Sequence, residues 1–299
     1  MRLVNFGTPG AWRAGVRVDG AVIDLLAVHA VHPAADWAPT PEAITRRGLD
    51  ALPVLARLVA SADGVPGARL DPAGLVLGPC VVDPSKIVLV GLNYRRHAAE
   101  AGLPVPEFPV VINKFPNTLS GSGSVVTIPS AVQKMDYEVE LAVVIGRRTK
   151  GVTADAALAS VMGYAPANDL SARDLQNRTS QWMLGKVLDG FLPIGPDLVS
   201  ADEVPDPQDL TLRTWVNGEL RQDSTTADMI FPVAEIVAYL AAFMTLEAGD
   251  VIITGTPSGV ASGMADPNWL KDGDRVVVEV GHLGRLETTL RAEGAGGGA

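Results

Sequence analysis

The stretch "MDYEVELAVVIG", residues 135 to 146, sets carboxylates at alternate positions, Asp136, Glu138 and Glu140, just before an apolar run. Side chains at i and i+2 of a strand share a face about 7 Å apart. Glu138 and Glu140 can therefore bring their oxygens to one point while Val139 and Leu141 face a core. Two such carboxylates repel each other and lose hydration unless a cation joins them. A third acid, Asp169 in "GYAPANDLSARDLQ", is expected after a Pro-containing turn and offers another oxygen. Three carboxylates with no His or Cys beside them describe a hard-cation site, Mg²⁺ or Mn²⁺, with water or substrate filling the remaining octahedral positions. The plainer reading of an E-x-E pair is a solvated strand face, since polar and apolar positions commonly alternate in strands.

Three other stretches carry residue types suited to the same chemistry. In "GLNYRRHAAEAG", His97 and Glu100 are three apart, so on a helix they share a face and the carboxylate can orient the imidazole. Two exposed helix residues are the alternative. Lys186 stands in the apolar, Gly- and Pro-bounded "WMLGKVLDGFLPIGP", either at a site or as a snorkelling surface lysine. "VIITGTPSGV" places small and hydroxyl residues directly after an apolar strand, where backbone N–H groups suit an anionic substrate; a tight turn alone is the other reading.

Short strands must position these groups. "KIVLVG", "PVVINK", "VVTIP", "LAVVIG", "LTLRTWVNGEL", "DVIITG" and "DRVVVEV" read as strands, and "NYRRHAAEAG", "ADAALASVMG" and "PVAEIVAYLAAFMT" as helices, the last with Pro232 in its first turn. Strands then dominate with few helices and no regular βαβ repeat, an α+β chain. Residues 1–80 read as a small N-terminal α/β unit without a cluster of catalytic residue types. A Pro- and Gly-punctuated boundary near Pro79 to Pro84 precedes a larger unit at 84–290, and residues 291–299, ending "EGAGGGA", read as a flexible tail.

The 299 residues can bury a real core, and 47% hydrophobic with 19% charged residues is the composition of a globular chain. A net charge of -10 argues against nucleic acid or an anionic membrane surface as partner. The single cysteine, Cys80, excludes an internal disulfide framework and suits a reducing cytoplasm, and no apolar run is long enough to span a bilayer. A cytoplasmic location is expected.

In this order, "GLNYRRHAAE", "DYEVELAVVIG", "GYAPANDLSARDLQ", "WMLGKVLDGFLPIGP" and "VIITGTPSGV" resemble the fumarylacetoacetate hydrolase superfamily over roughly residues 84 to 290. The resemblance implies a mixed β-sandwich roll around a metal site, assembled as a homodimer. It implies Glu138, Glu140 and Asp169 as ligands of Mg²⁺ or Mn²⁺, with Ca²⁺ as a stand-in in crystals. His97 and Glu100 match a catalytic dyad on a lid, and Lys186 matches the lysine near the metal. Gly255, Thr256, Arg173 and Gln176 match substrate contacts. Asp136 falls outside the ligand pattern and is expected to bond backbone. Phe115 follows Lys114 where the family often has proline, which puts Lys114 and Ser120 in doubt as substrate contacts. Leu92, Phe108 and Phe115 are placed in the distal pocket by their position beside the motifs.

The chemistry expected of such a site is metal-dependent cleavage of a C–C bond in a 1,3-diketone or acylpyruvate-type 2-oxo acid, with an enolate as the charge to be stabilised. The substrate is then a small anionic 2-oxo acid or dienoate. Isomerisation or hydration of a 2-hydroxydienoate and decarboxylation of a 2-oxo diacid need the same enolate and remain alternatives. A non-catalytic protein that binds an oxo acid is the reading of another class.

Overall fold

A computed structural model of the chain describes residues 1–294. The N-terminal part contributes β1 (Arg2–Thr8), β2 (Ala11–Val18), β3 (Ala21–Asp24) and β4 (Arg69–Leu70), with helices α1 (Leu25–Val31), α2 (Pro41–Arg47) and α3 (Leu52–Ala60) between the last two strands. Next come β5 (Ile87–Gly91), helix α4 (Arg95–Glu100), β6 (Val110–Lys114), β7 (Leu119–Ser120), β8 (Ser124–Ile128), β9 (Met135–Asp136) and β10 (Val139–Ile145). Short helix α5 (Ala154–Ala157), β11 (Val161–Asn168), β12 (Ser171–Ala172), helix α6 (Arg173–Gln176), β13 (Leu192–Pro193) and β14 (Asp197–Ser200) follow. The chain continues through β15 (Thr211–Val216), β16 (Glu219–Thr225), helix α7 (Val233–Phe243), β17 (Val251–Ile253), β18 (Arg275–Val280) and β19 (Gly284–Ala292).

A ten-stranded sheet runs β4-β3-β2-β1-β14-β11-β10-β17-β5-β6, and a five-stranded sheet runs β16-β15-β18-β19-β8. Strand β10 is buried along its whole length. Its odd residues, Val139, Leu141, Val143 and Ile145, enter one core with Leu212 of β15, Val276 and Val278 of β18, and Ile236 and Leu240 of α7. Ala142 and Val144 face the other way, into a core shared with Val16 and the α1 and α3 residues Leu25 and Leu55. Burying one Leu or Val side chain contributes about 1.5–3 kcal/mol, so β10 is clamped from both faces. Glu140 sits at the N-terminal end of this clamped strand, with Glu138 immediately before it.

The ten-stranded sheet does not stop at the boundary expected near residue 80. Strand β1 pairs antiparallel with β14, Arg2 opposite Val199 and Val4 opposite Asp197. Arg17 Nε stands 2.8 Å from Asp197 Oδ1 across the same seam. Left alone, β1 and β14 would each expose a row of unpaired N–H and C=O groups; pairing removes both edges and makes the N-terminal strands an extension of the site-bearing sheet. The tail also begins later than residue 291: Arg291 and Ala292 pair with Thr127 and Ile128 of β8, and Ser130 N donates to the Glu293 carboxylate. Residues 295–299 of the expected tail lie outside the described residues.

Two local expectations change. The Pro-containing turn before Asp169 is strand β11, with Pro166 opposite Leu141 of β10. The imino nitrogen is tolerated because the β14 pairing on the other side covers only Gly163 and Tyr164, and Pro166 enters the pairing with Gly195 there through its carbonyl, which accepts from Gly195 N at 2.9 Å. "ADAALASVMG" keeps one helical turn, then a 3₁₀ turn over Leu158–Ser160, and its Val-Met-Gly enters β11. Among the described residues no helix is long and apolar enough to cross a membrane.

Candidate active site

Glu140 lies in β10, Glu138 immediately before it, and Asp169 immediately after the partner strand β11. The antiparallel register, Val139 opposite Asn168 and Glu140 opposite Ala167, brings the three acids to one end of the strand pair. Two bonds lock that end: Asp169 N donates to Glu138 O at 2.9 Å, and Glu138 N donates to Asn168 Oδ1 at 3.1 Å. One oxygen from each of Glu138, Glu140 and Asp169 lies within 4.8 Å of the others, and all three residues are buried.

Three cations approach these carboxylates. Lys186 Nζ donates to Glu138 Oε2 at 2.7 Å, Asp169 Oδ2 at 2.5 Å and Ser171 Oγ at 2.7 Å. Arg173 donates through Nη2 to Glu138 Oε1 at 2.5 Å and through Nε to Asp136 Oδ2 at 2.9 Å. Lys114 Nζ stands 2.8 Å from Asp169 Oδ1. Burial pushes the Glu138 carboxyl up, but Arg173 and Lys186 outweigh it and hold the group at about 2. Lys186 is lowered by burial and raised more strongly by Asp169 and Glu138, so it stays an ammonium. Lys114 is brought down to about 8, chiefly by burial and only partly restored by Asp169.

Glu140 differs from its neighbours. Its Oε2 accepts from Gly255 N, and among the described residues it has no ion-pair partner. Burial, then Asp169 and Glu138, raise its carboxyl well above the usual carboxylate range. Asp169 Oδ1 is likewise buried, with the Lys114 ammonium 2.8 Å away. An all-oxygen donor set of three converging carboxylates, one of them without a cation partner among the described residues, fits a hard divalent cation.

The acids open onto a cavity of about 320 Å³. His97, Lys186, Arg173, Gln176, Gly255 and Thr256 line it with the acids, and Leu92, Leu103, Ile112 and Trp182 form an apolar wall. On α4, His97 Nδ1 stands 3.0 Å from Glu100 Oε2. A carboxylate only accepts, so in the neutral ring the proton belongs on Nδ1 and the lone pair on Nε2. Gly259 N donates to Glu100 Oε1 at 2.8 Å, which ties the helix to the loop that follows β17.

Several expectations are refined. Gly255 lines the cavity, but its N–H is given to Glu140 rather than left for substrate. Arg173 also lines it, but its guanidinium is shared among Asp136, Glu138 and Gln176, a charge that organises the acids. Gln176 Oε1 accepts from Arg173 Nη1 at 3.0 Å, which turns the Gln176 NH₂ away from Arg173. Asp136 bonds backbone as expected, accepting from Tyr137 N, Ala261 N and Ser262 N. Lys114 and Ser120 are both away from the cavity: Lys114 sits behind Asp169, donating to Leu170 O and Phe191 O, and Ser120 Oγ donates to Gly190 O. Of the three distal-pocket residues, Leu92 lines the cavity, whereas Phe108 and Phe115 are 59% and 45% exposed outside it. Trp182 was not legible as a wall residue, because nothing near it in sequence distinguishes it from a core aromatic.

The family description "Fumarylacetoacetate (FAA) hydrolase C-terminal" matches residues 86–291. A mitochondrial oxaloacetate tautomerase of Bos taurus is 40% identical over 291 residues, spanning 95% of this chain and 90% of the relative. The crystal structure of 5-carboxymethyl-2-hydroxymuconate delta-isomerase from Mycobacterium smegmatis superposes with a TM-score of 0.75 at 32% identity, covering 98% of this chain and 100% of that one. Maleylpyruvate hydrolase from Sphingobium sp. SYK-6, solved in complex with manganese(II) and pyruvate, superposes with a TM-score of 0.79 at 30% identity over 98% and 99% of the two chains. A tautomerase, an isomerase and a hydrolase thus each match at least 95% of this chain, and the protein belongs to the fumarylacetoacetate hydrolase family of enzymes.

Proposed function

We propose that the protein is a divalent-metal-dependent hydrolase that cleaves the C–C bond of an acylpyruvate-type 2-oxo acid. The observation that carries this reading is the His97–Glu100 pair on the wall of the cavity that also holds Glu138, Glu140 and Asp169. Mg²⁺ or Mn²⁺ held by those three acids would supply a Lewis acid for the carboxylate and 2-oxo oxygens of the substrate.

The chain's own groups account for the rest. His97 Nε2, with Nδ1 held by Glu100, takes a proton from water as general base. The resulting hydroxide adds to the distal carbonyl carbon. The bond between that carbon and C3 breaks, its electron pair passes to the pyruvate fragment as an enolate, and the proton on His97 returns to C3. One water is consumed, and a carboxylic acid and pyruvate are released. The Lys186 ammonium offsets negative charge beside the acids, and the wall of Leu92, Leu103, Ile112 and Trp182 receives the acyl group and excludes bulk water.

A second reading is supported by the 40% identical tautomerase. The same imidazole moves a proton between C3 and the 2-oxo oxygen without admitting water, so keto–enol exchange of a 2-oxo acid needs no further residue. Purified protein with Mn²⁺ or Mg²⁺, offered acetylpyruvate, fumarylpyruvate, oxaloacetate and a 2-hydroxymuconate-type dienoate and followed by mass spectrometry and ultraviolet absorbance, separates the two. Metal-dependent release of pyruvate plus an acid supports the hydrolase. Accelerated loss of the enol absorbance with no new mass replaces it with the tautomerase.

A further inference from the structure

Gln222, in β16 of the five-stranded sheet, is completely buried beneath the cavity. Its Oε1 accepts from Val139 N at 3.0 Å and Thr214 Oγ1 at 2.7 Å. Its Nε2 donates to Thr256 Oγ1 and to Pro257 O, both at 2.9 Å. The amide cannot turn over: Val139 N–H is only a donor and Pro257 C=O only an acceptor, so a flip would set donor against donor and acceptor against acceptor. Both Nε2 hydrogens are used, and Thr256 Oγ1 receives one of them. The Thr256 hydroxyl hydrogen therefore points elsewhere, and Thr256 lines the cavity.

We propose that Gln222 is a positioning residue that fixes the polarity of Thr256, making its hydroxyl a hydrogen-bond donor to an anionic ligand oxygen in the cavity. The same amide grips Val139, between Glu138 and Glu140, and so joins the substrate-binding loop to the acid-bearing strand across the interface of the two sheets. A donor preset before the ligand arrives costs no reorientation on binding, the advantage of a preorganised site. The inference rests on the proposed reading only in taking the ligand to be a 2-oxo acid or its mimic; it does not depend on which reaction follows.

Oxalate is the probe, because its affinity in the presence of Mn²⁺ is read by calorimetry without turnover. Gln222→Glu keeps the shape of the side chain but replaces a double donor with an acceptor, and Gln222→Met removes the polar head. Each is measured alone and combined with Thr256→Val, with Mn²⁺ affinity measured separately. In Gln222→Glu the new carboxylate captures the Thr256 hydroxyl hydrogen, and losing one hydrogen bond to a charged group predicts roughly tenfold or more weaker oxalate binding; Gln222→Met leaves the hydroxyl free to turn and predicts a smaller loss. That loss should disappear in the Thr256→Val background, with Mn²⁺ affinity changed by less than about threefold. Equal losses in both backgrounds, or Mn²⁺ affinity falling in parallel with oxalate affinity, overturn the proposal. If neither Gln222 variant folds, Thr256→Val must reproduce the loss while Thr256→Ser, which keeps the hydroxyl, must not; unchanged oxalate binding in Thr256→Val overturns it as well. A wild type that binds oxalate yet hydrolyses no acylpyruvate sinks the hydrolase reading and leaves this test intact.

Discussion

Lys186 Nζ stands 2.7 Å from Glu138 Oε2, a fully made ion pair between two buried residues brought together across 48 positions of sequence. Burial pushes the Glu138 carboxyl up, and Arg173 first, then Lys186, outweigh it and hold the group at about 2 against an ordinary 4.5. Between those values the unfolded chain binds more protons than the folded one, so stability contributed by Glu138 is complete above pH 4.5 and is lost as pH falls toward 2. Denaturant unfolding in EDTA at steps from pH 5.5 to 2.5 should show wild type losing its advantage over Glu138→Gln across that window. A constant difference across it would mean that the ion pairs do not set the acid limb.

Glu140 has burial and two acid neighbours against it and, among the described residues, no ion-pair partner, so it should gain most from a bound cation. Wild type should melt higher in Mn²⁺ or Mg²⁺, by about 2.7 kcal/mol of stability at a hundredfold excess over Kd. Asp169→Ala and Glu138→Ala should lose both that shift and activity. A wild-type melt indifferent to divalent cations would remove the metal site.

His97→Ala removes the proposed general base and leaves the acids untouched. Turnover of an acylpyruvate should fall by roughly 10²–10⁴-fold, while oxalate binding in Mn²⁺ stays close to that of wild type. Normal hydrolysis by the variant would reassign the base.

Gly259 has φ +101°, and a Cβ placed there would come within 2.2 Å of Arg221 O. Its N–H holds Glu100, which in turn holds His97. Gly259→Ala must therefore shift the loop, and the expected result is lower turnover together with faster hydrogen exchange in residues 95–100. Exchange equal to wild type would show that the loop does not restrain the helix.

Trp182 packs over Gly91, whose added Cβ would sit 3.1 Å from the indole, and both line the apolar wall. Trp182→Ala should raise kcat/KM for a bulky aromatic acylpyruvate relative to acetylpyruvate. An unchanged ratio would place the acyl group elsewhere.

The residue types and spacings of "DYEVELAVVIG" and "NYRRHAAE" by themselves determined the acid pair on one face of β10 and the His97–Glu100 contact. Both are local geometries: period two along a strand and three residues along a helix bring the groups together whatever the rest of the chain does. Strand dominance was legible for the same reason, from short apolar runs bounded by Gly and Pro. Only the tertiary structure decided which charges are spent on one another. Arg173 reads as a substrate cation until Asp136 and Glu138 are seen to hold it, and Gly255 reads as a free N–H until Glu140 accepts it. Gln222 stood unremarked in "ELRQDST" because its four partners come from three other segments of the chain. The β1–β14 pairing, across nearly two hundred residues, was hidden likewise. Hydrogen bonds and ion pairs depend on distances between segments, and those distances are set by how the two sheets pack, a property carried by no single stretch of sequence.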